Sequence, residues 1–158
     1  MKQILIKLFL LIILITTTAC GFKVVDKTQL NNFKISEIKS TGDKRINYKI
    51  KNYLLINSLE TSQNIISLNI NVNKAKEIKE KNLKNEVTKY EININVSTKI
   101  DFENQRDNHS ITISRKGDFL VGTSYVATLN NEKKLTENLT ENIFKIILKE
   151  IVYQTNDL

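Results

Sequence analysis

From Lys89 to Phe102 the chain alternates without a slip. Tyr90, Ile92, Ile94, Val96, Thr98, Ile100 and Phe102 take one phase. Lys89, Glu91, Asn93, Asn95, Ser97, Lys99 and Asp101 take the other. Successive side chains on a strand point to opposite faces, so this stretch is a strand with one buried and one wet face. A sheet built around it is covered on one side only. That excludes the filling of a three-layer sandwich and requires a second layer to bury the apolar side.

The flanking segments supply the rest of the sheet. Residues 33–39 alternate weakly, with Phe33 and Ile35 in phase, and predict a first strand. Residues 64–73 alternate cleanly: Leu68, Ile70 and Val72 oppose Ser67, Asn69, Asn71 and Asn73. Residues 74–86 are charged and aperiodic; they read as a solvated connector, with a basic loop for a partner as the alternative. Residues 103–109 read as a polar turn. Ile111 and Ile113 begin a return strand, Gly117-Asp118 marks a break or bulge, and a further extended piece covers 119–128.

Two stretches have helical spacing. After Ser40-Thr41-Gly42-Asp43, Ile46, Ile50, Tyr53 and Leu54 share a face, which predicts a helix capped at Ser40 and ending near residues 58–61. Strand, helix, strand in that order predicts a crossover joining two parallel strands. The second helix is expected to start at Asn130 or Asn131. Leu135, Leu139, Ile143, Ile146, Ile147 and Ile151 form its apolar face. Phe144, Leu148 and Val152 widen that face, as burial against the first helix as well as the sheet would require, with contact to a partner protein as the alternative. The expected fold is therefore α+β, a two-layer sandwich. Two helices pack on one face of a mixed, mainly antiparallel four-stranded sheet.

The amino terminus reads as an export signal. Lys2 precedes an apolar run from Ile4 to Ile15, and a small-residue break ends in Ala19-Cys20-Gly21. Cys20 is the only cysteine in the 158 residues, so it has no intrachain disulfide partner. Its setting is that of a lipobox, with Thr17 where an aliphatic residue is usual. The expectation is a signal peptide over 1–19, a lipidated Cys20 with a tether over 20–32, one domain over 33–154, and a tail over 155–158. Acyl chains on Cys20 would anchor the protein to a membrane. Gly21, rather than Asp, follows the cysteine, which favours the periplasmic side of the outer membrane.

The net charge is +7. It admits an anionic partner such as lipid or glycan, whereas an exported lipoprotein does not meet nucleic acid. Signs of catalysis are absent. The single histidine, His109, falls in the expected polar turn, and the only cysteine is committed to the lipobox. That leaves no two-histidine zinc motif. There is no Gly-x-Ser-x-Gly elbow and no Gly-rich phosphate loop, with glycines only at 21, 42, 117 and 122. No cofactor, no metal site and no enzymatic activity are expected.

The order of these elements resembles the LPS-assembly lipoproteins called LptE. Cys20-Gly21-Phe22-Lys23 matches their mature start, although Val24-Val25-Asp26 replaces their usual Pro-Leu-Tyr. Tyr90 opens the long strand, and Ser124-Tyr125-Val126-Ala127 precedes the last helix, as in that family. The resemblance implies a non-enzymatic lipoprotein. It would plug and help assemble the β-barrel LPS translocon, LptD, and assist delivery of lipopolysaccharide. Lipid A carries phosphates, so contact with it needs cationic donors. Lys89, Arg115 and Lys133 are the candidates for one such surface. Two other classes remain: an auxiliary ligand-binding lipoprotein of another envelope transport complex, and a hydrolase using a serine and a lysine.

Overall fold

A computed structural model describes residues 31–103 and 108–156. The expected signal, Cys20 and most of the tether lie outside the described residues. The elements are β1 (Lys34–Gly42), α1 (Lys44–Ile56), β2 (Ile65–Lys81), β3 (Val87–Phe102), β4 (Asn108–Leu120) and α2 (Tyr125–Asn156). The sheet runs β1-β2-β3-β4. β1 pairs with β2 in parallel, and the other two ladders are antiparallel. This is the two-layer α+β fold anticipated from the pattern.

The core forms where the alternation places it. Ile66, Leu68, Ile70 and Val72 of β2 are buried, as are Ile92, Ile94, Val96, Ile100 and Phe102 of β3. Above them lie Ile46, Ile50 and Leu54 of α1 and Leu139, Ile143, Ile147 and Ile151 of α2. α1 packs on β1 and β2, and α2 packs on β3 and β4. The widened face of α2 meets α1: Phe144 is buried and stacks on Tyr53, with ring centroids 4.9 Å apart.

Each helix starts where a side chain can satisfy its free N–H groups. Asp43, not Ser40, caps α1. Its carboxylate accepts from the N–H of Arg45 and Ile46 at 3.0 and 2.9 Å. α2 begins at Tyr125, several residues before the expected asparagines, because Ser124 caps it. Ser124 Oγ accepts from the N–H of Ala127 at 3.1 Å. Asn131 instead donates its side-chain amide to the Leu120 carbonyl at 3.0 Å. Residues 125–128 are thus helical rather than extended. The helix runs on through Thr155, whose side chain is buried.

The segment read as a charged connector is strand. β2 continues through Lys81, paired with β3 from Lys74↔Ile94 to Lys81↔Val87. Its charges form cross-strand and strand–helix ion pairs in place of an apolar face. Lys79 reaches Glu91 and Asp118, and Lys74 and Lys76 both reach Glu132. The turn is tight: Asn82 Oδ1 accepts from the N–H of Lys84 and Glu86, and Asn85 adopts φ 64°.

β4 is unbroken through Gly117-Asp118. Gly117 sits opposite Ile92, on the helix-covered side. A Cβ there would come within 2.9 Å of Leu135 Cδ1. The glycine serves close helix packing, not a bulge. His109 also belongs to β4 rather than to a turn. Its Nε2 lies 2.8 Å from Glu150 Oε1, linking the strand to the end of α2.

Candidate functional site

The three cationic candidates do not share a face. Lys89 points to the open, polar side of the sheet, out of phase with Ile92 and Ile94, and Glu80 pairs with it at 2.5 Å. Arg115 sits opposite Ile94 on the helix-covered side of the edge strand, with Nη1 on the Ser114 carbonyl at 2.9 Å. Lys133 belongs to α2. The single surface expected of Lys89, Arg115 and Lys133 is therefore absent, because one residue of phase on adjacent strands moves a side chain to the other face.

Lys133 does lie in a concave site. A cleft of about 330 Å³ opens between the first turns of α1, the middle of β2 and the first half of α2. Arg45 and Lys49 come from α1, Lys74 from β2, and Lys133 from α2. Ile46 and Leu129 are apolar side chains of its lining. Asp43 starts α1 at its mouth, and a helix begins only where the chain can turn away from β1. Gly42 makes that turn at φ +90°.

The carboxylates of the cleft are already engaged. Asp43 is the helix cap. Glu137 takes a hydrogen bond from Lys49 at 2.6 Å, and this holds its carboxyl below the usual range. Burial pushes the Glu132 carboxyl up, but hydrogen bonds from Lys74 at 2.9 Å and Lys76 at 2.7 Å outweigh burial and hold it below the usual range. Among the described residues, Arg45 and Lys133 have no carboxylate within ion-pair distance. Lys133 is near enough to Glu137 to help hold that carboxyl low, so the cleft offers two cations outside direct ion pairs, from opposite walls and beside apolar side chains. That arrangement can hold an anionic group attached to an apolar body.

Sequence reasoning missed Arg45, Lys49 and Lys74. Lys74 carried a signal: it continues the phase of Ile70 and Val72, so it had to lie on the helix-covered side. Arg45 and Lys49 gave none, because only the crossing of α1 over β2 places them beside α2.

A second groove lies at the hairpin end. Lys76, Tyr90, Val121, Tyr125 and Leu129 line it. Tyr90 stacks on Phe119 at 5.5 Å, and Lys76 Nζ sits 4.4 Å from the Tyr90 centroid. Tyr125 is 77% exposed, and Ile78, Leu83, Leu120 and Val126 are also exposed nearby in the chain's hairpin and helix start. Among the described residues, no cluster of three or more His, Cys, Asp or Glu could hold a metal ion.

No protein-family model matches the sequence, and neither does any curated protein. Solved structures do match in fold. Rare lipoprotein B from Shewanella oneidensis is similar with a TM-score of 0.58 at 12% identity, over 77% of this chain and 97% of that one. A chain from Caulobacter crescentus aligns with a TM-score of 0.59 at 12% identity, over 83% of this chain and 95% of its own. The uncharacterized lipoprotein B from Nitrosomonas europaea aligns with a TM-score of 0.58 at 16% identity, over 86% and 93%. At these identities the likeness is one of fold: this chain has the architecture of the lipoprotein B structures, over nearly their whole length.

Proposed function

We propose that the protein is an outer-membrane lipoprotein, anchored through Cys20, that plugs and helps assemble the LPS-translocon barrel LptD and assists lipopolysaccharide delivery. One observation carries the reading. A chain whose only cysteine sits in a lipobox has a domain that aligns with over nine-tenths of two lipoprotein B structures. The motifs that resemble the LPS-assembly lipoproteins supply the finer partner. The cleft adds a chemistry suited to a phosphorylated lipid, with Arg45 and Lys133 for the phosphate and Ile46 and Leu129 beneath an acyl or sugar face. No catalytic role is assigned.

The test is an affinity pull-down from detergent-solubilised envelope, with the bound proteins identified by mass spectrometry. A large β-barrel that remains bound is the expected result. Recovery of another envelope transport complex, with no barrel, would favour the auxiliary-lipoprotein reading. The same preparation reports on the anchor: residues 1–19 should be missing and Cys20 should carry acyl mass, and Cys20→Ala should lose it.

A further inference from the structure

The outer edge of β4 pairs with no other strand of the sheet, and its direction can be fixed residue by residue. On an antiparallel strand each residue turns its N–H and C=O to the same side, and successive residues alternate. The Val121 N–H donates to the Thr88 carbonyl at 2.9 Å, which assigns the odd residues at this end of the strand to β3. Two side chains mark the other phase. Arg115 Nη1 donates to the Ser114 carbonyl at 2.9 Å, and Asn131 Nδ2 donates to the Leu120 carbonyl at 3.0 Å. Both carbonyls belong to even residues. Ser110, Thr112, Ser114, Lys116 and Asp118 therefore turn their main-chain groups away from the sheet. The register is unbroken from Lys89↔Leu120 to Asp101↔Asn108, so the edge is regular over its length. The opposite edge of the sheet is β1, which has nine residues and a register shift between Ile35 and Glu37. Beyond Val72 that edge passes to β2. It carries two register shifts between Ile78 and Lys81 and is dense in Lys and Glu, the devices that discourage strand addition.

Charge narrows what can pair with β4. At mid-strand Arg115 stands on the helix-covered side and Lys116 on the open side, both exposed. Among the described residues, the one carboxylate within ion-pair distance of Lys116 is Glu91, at 4.0 Å, and Lys79 holds the same Glu91 oxygen at 3.2 Å. A second copy is a poor occupant. Antiparallel pairing of two β4 strands about Ser114 sets Arg115 diagonal to Arg115 of the other copy on the same face, roughly 7–8 Å apart. An acidic strand has the opposite effect.

We propose that the β4 edge receives an extended segment of another protein by strand addition. That segment carries two adjacent acidic residues at its centre, one facing Arg115 and the next facing Lys116. Its remaining residues on the helix-covered side are apolar, to continue the surface of Ile111 and Ile113. Main-chain bonds supply the attachment and the two acids set the register.

Amide hydrogen exchange on the full-length lipidated protein in detergent tests this. The probe is a synthetic peptide of about ten residues, a common strand length, alternating valine and threonine around a central Glu-Glu. The control has Lys-Lys at the centre. The Glu-Glu peptide should slow exchange at Ser110, Thr112, Ser114 and Lys116 by about tenfold or more, and leave Ile111 and Ile113 as they were. The protection should weaken as salt rises. Thr112→Pro removes an outward N–H that bonds nothing in β3, so the fold should persist and the protection should vanish. Arg115→Glu with Lys116→Glu should transfer the preference to the Lys-Lys peptide. Equal protection by both peptides, none by either, or protection that survives in Thr112→Pro would overturn the proposal. So would protection that rises with protein concentration without peptide, which would make the occupant a second copy.

Discussion

Gly42 lies against the carbonyl of Val72 so closely that a Cβ on it would sit 1.8 Å from that oxygen. Its φ of +90° adds a second constraint, since side chains other than hydrogen rarely accept it. The next residue, Asp43, donates its N–H to the same oxygen at 3.0 Å and caps α1. One contact thus joins the end of β1, the middle of β2 and the start of the helix. Gly42→Ala should destabilise the protein by at least about 2 kcal/mol, measured by chemical denaturation. A variant as stable as the parent would show that the turn relaxes freely.

The two faces of β3 give a sharper pair. Ile94 is fully buried in the core, whereas Asn93 faces the open side and accepts a hydrogen bond from Ser114 Oγ at 3.2 Å. Ile94→Asp places an unpartnered carboxylate among Ile, Leu and Phe side chains. The loss should be about 3–5 kcal/mol. Asn93→Asp keeps an acceptor beside Ser114 and should change stability by no more than about 0.5 kcal/mol. Equal losses in urea titrations would contradict the assignment of the faces.

The contrast between these neighbours explains what was legible in the chain. Ile92, Ile94 and Val96 announce a half-buried strand because helices cover all of them. Lys74, Lys76 and Ile78 stand in the same phase on β2 but run toward the end of the helix layer, where ion pairs replace the apolar face. Period two in hydrophobicity then disappears although the ladder continues. The start of α2 was hidden for a different reason: Val121, Tyr125 and Ala127 imitate alternation, and the capping role of Ser124 shows only in its bond to Ala127. The candidate cations failed as a group because which face a lysine takes depends on register, and register is set by pairing rather than by local sequence.

Acid should loosen the joint between β2 and α2. Glu132 receives both Lys74 and Lys76 and keeps its carboxyl below the usual range. Since the folded value is lower than the unfolded one, ionised Glu132 stabilises the fold above the unfolded value. That contribution disappears as pH falls out of the usual carboxylate range and through the lowered folded value. Glu132→Gln should flatten this part of the stability–pH profile while leaving the profile near neutrality parallel to that of the parent. An unchanged acid limb in thermal melts would assign the effect to other carboxylates. Glu137, held by Lys49, shifts in the same direction, but it is exposed and screened, so its share should be smaller.

Binding of lipopolysaccharide should separate the cleft from the open sheet face. Arg45 and Lys133 approach the cleft from different helices and form no direct ion pair among the described residues, so an incoming phosphate would not have to break one. Lys89 is already neutralised by Glu80 across the hairpin. Reversing Arg45 and Lys133 together to glutamate should weaken binding by about tenfold or more, as loss of charge-assisted contacts implies. Lys89→Glu alone should leave it nearly unchanged. Neither change should alter folding by more than about 1 kcal/mol, because exposed charges add little to stability. Parent binding should also fall between 0.05 and 0.5 M salt, over a range where screening shortens from more than about 10 Å to well below it. The measurement is equilibrium binding of labelled lipopolysaccharide to protein shown to be folded by circular dichroism. If Lys89→Glu weakens binding as much as the double reversal, the ligand lies on the open face of the sheet and the cleft serves another purpose.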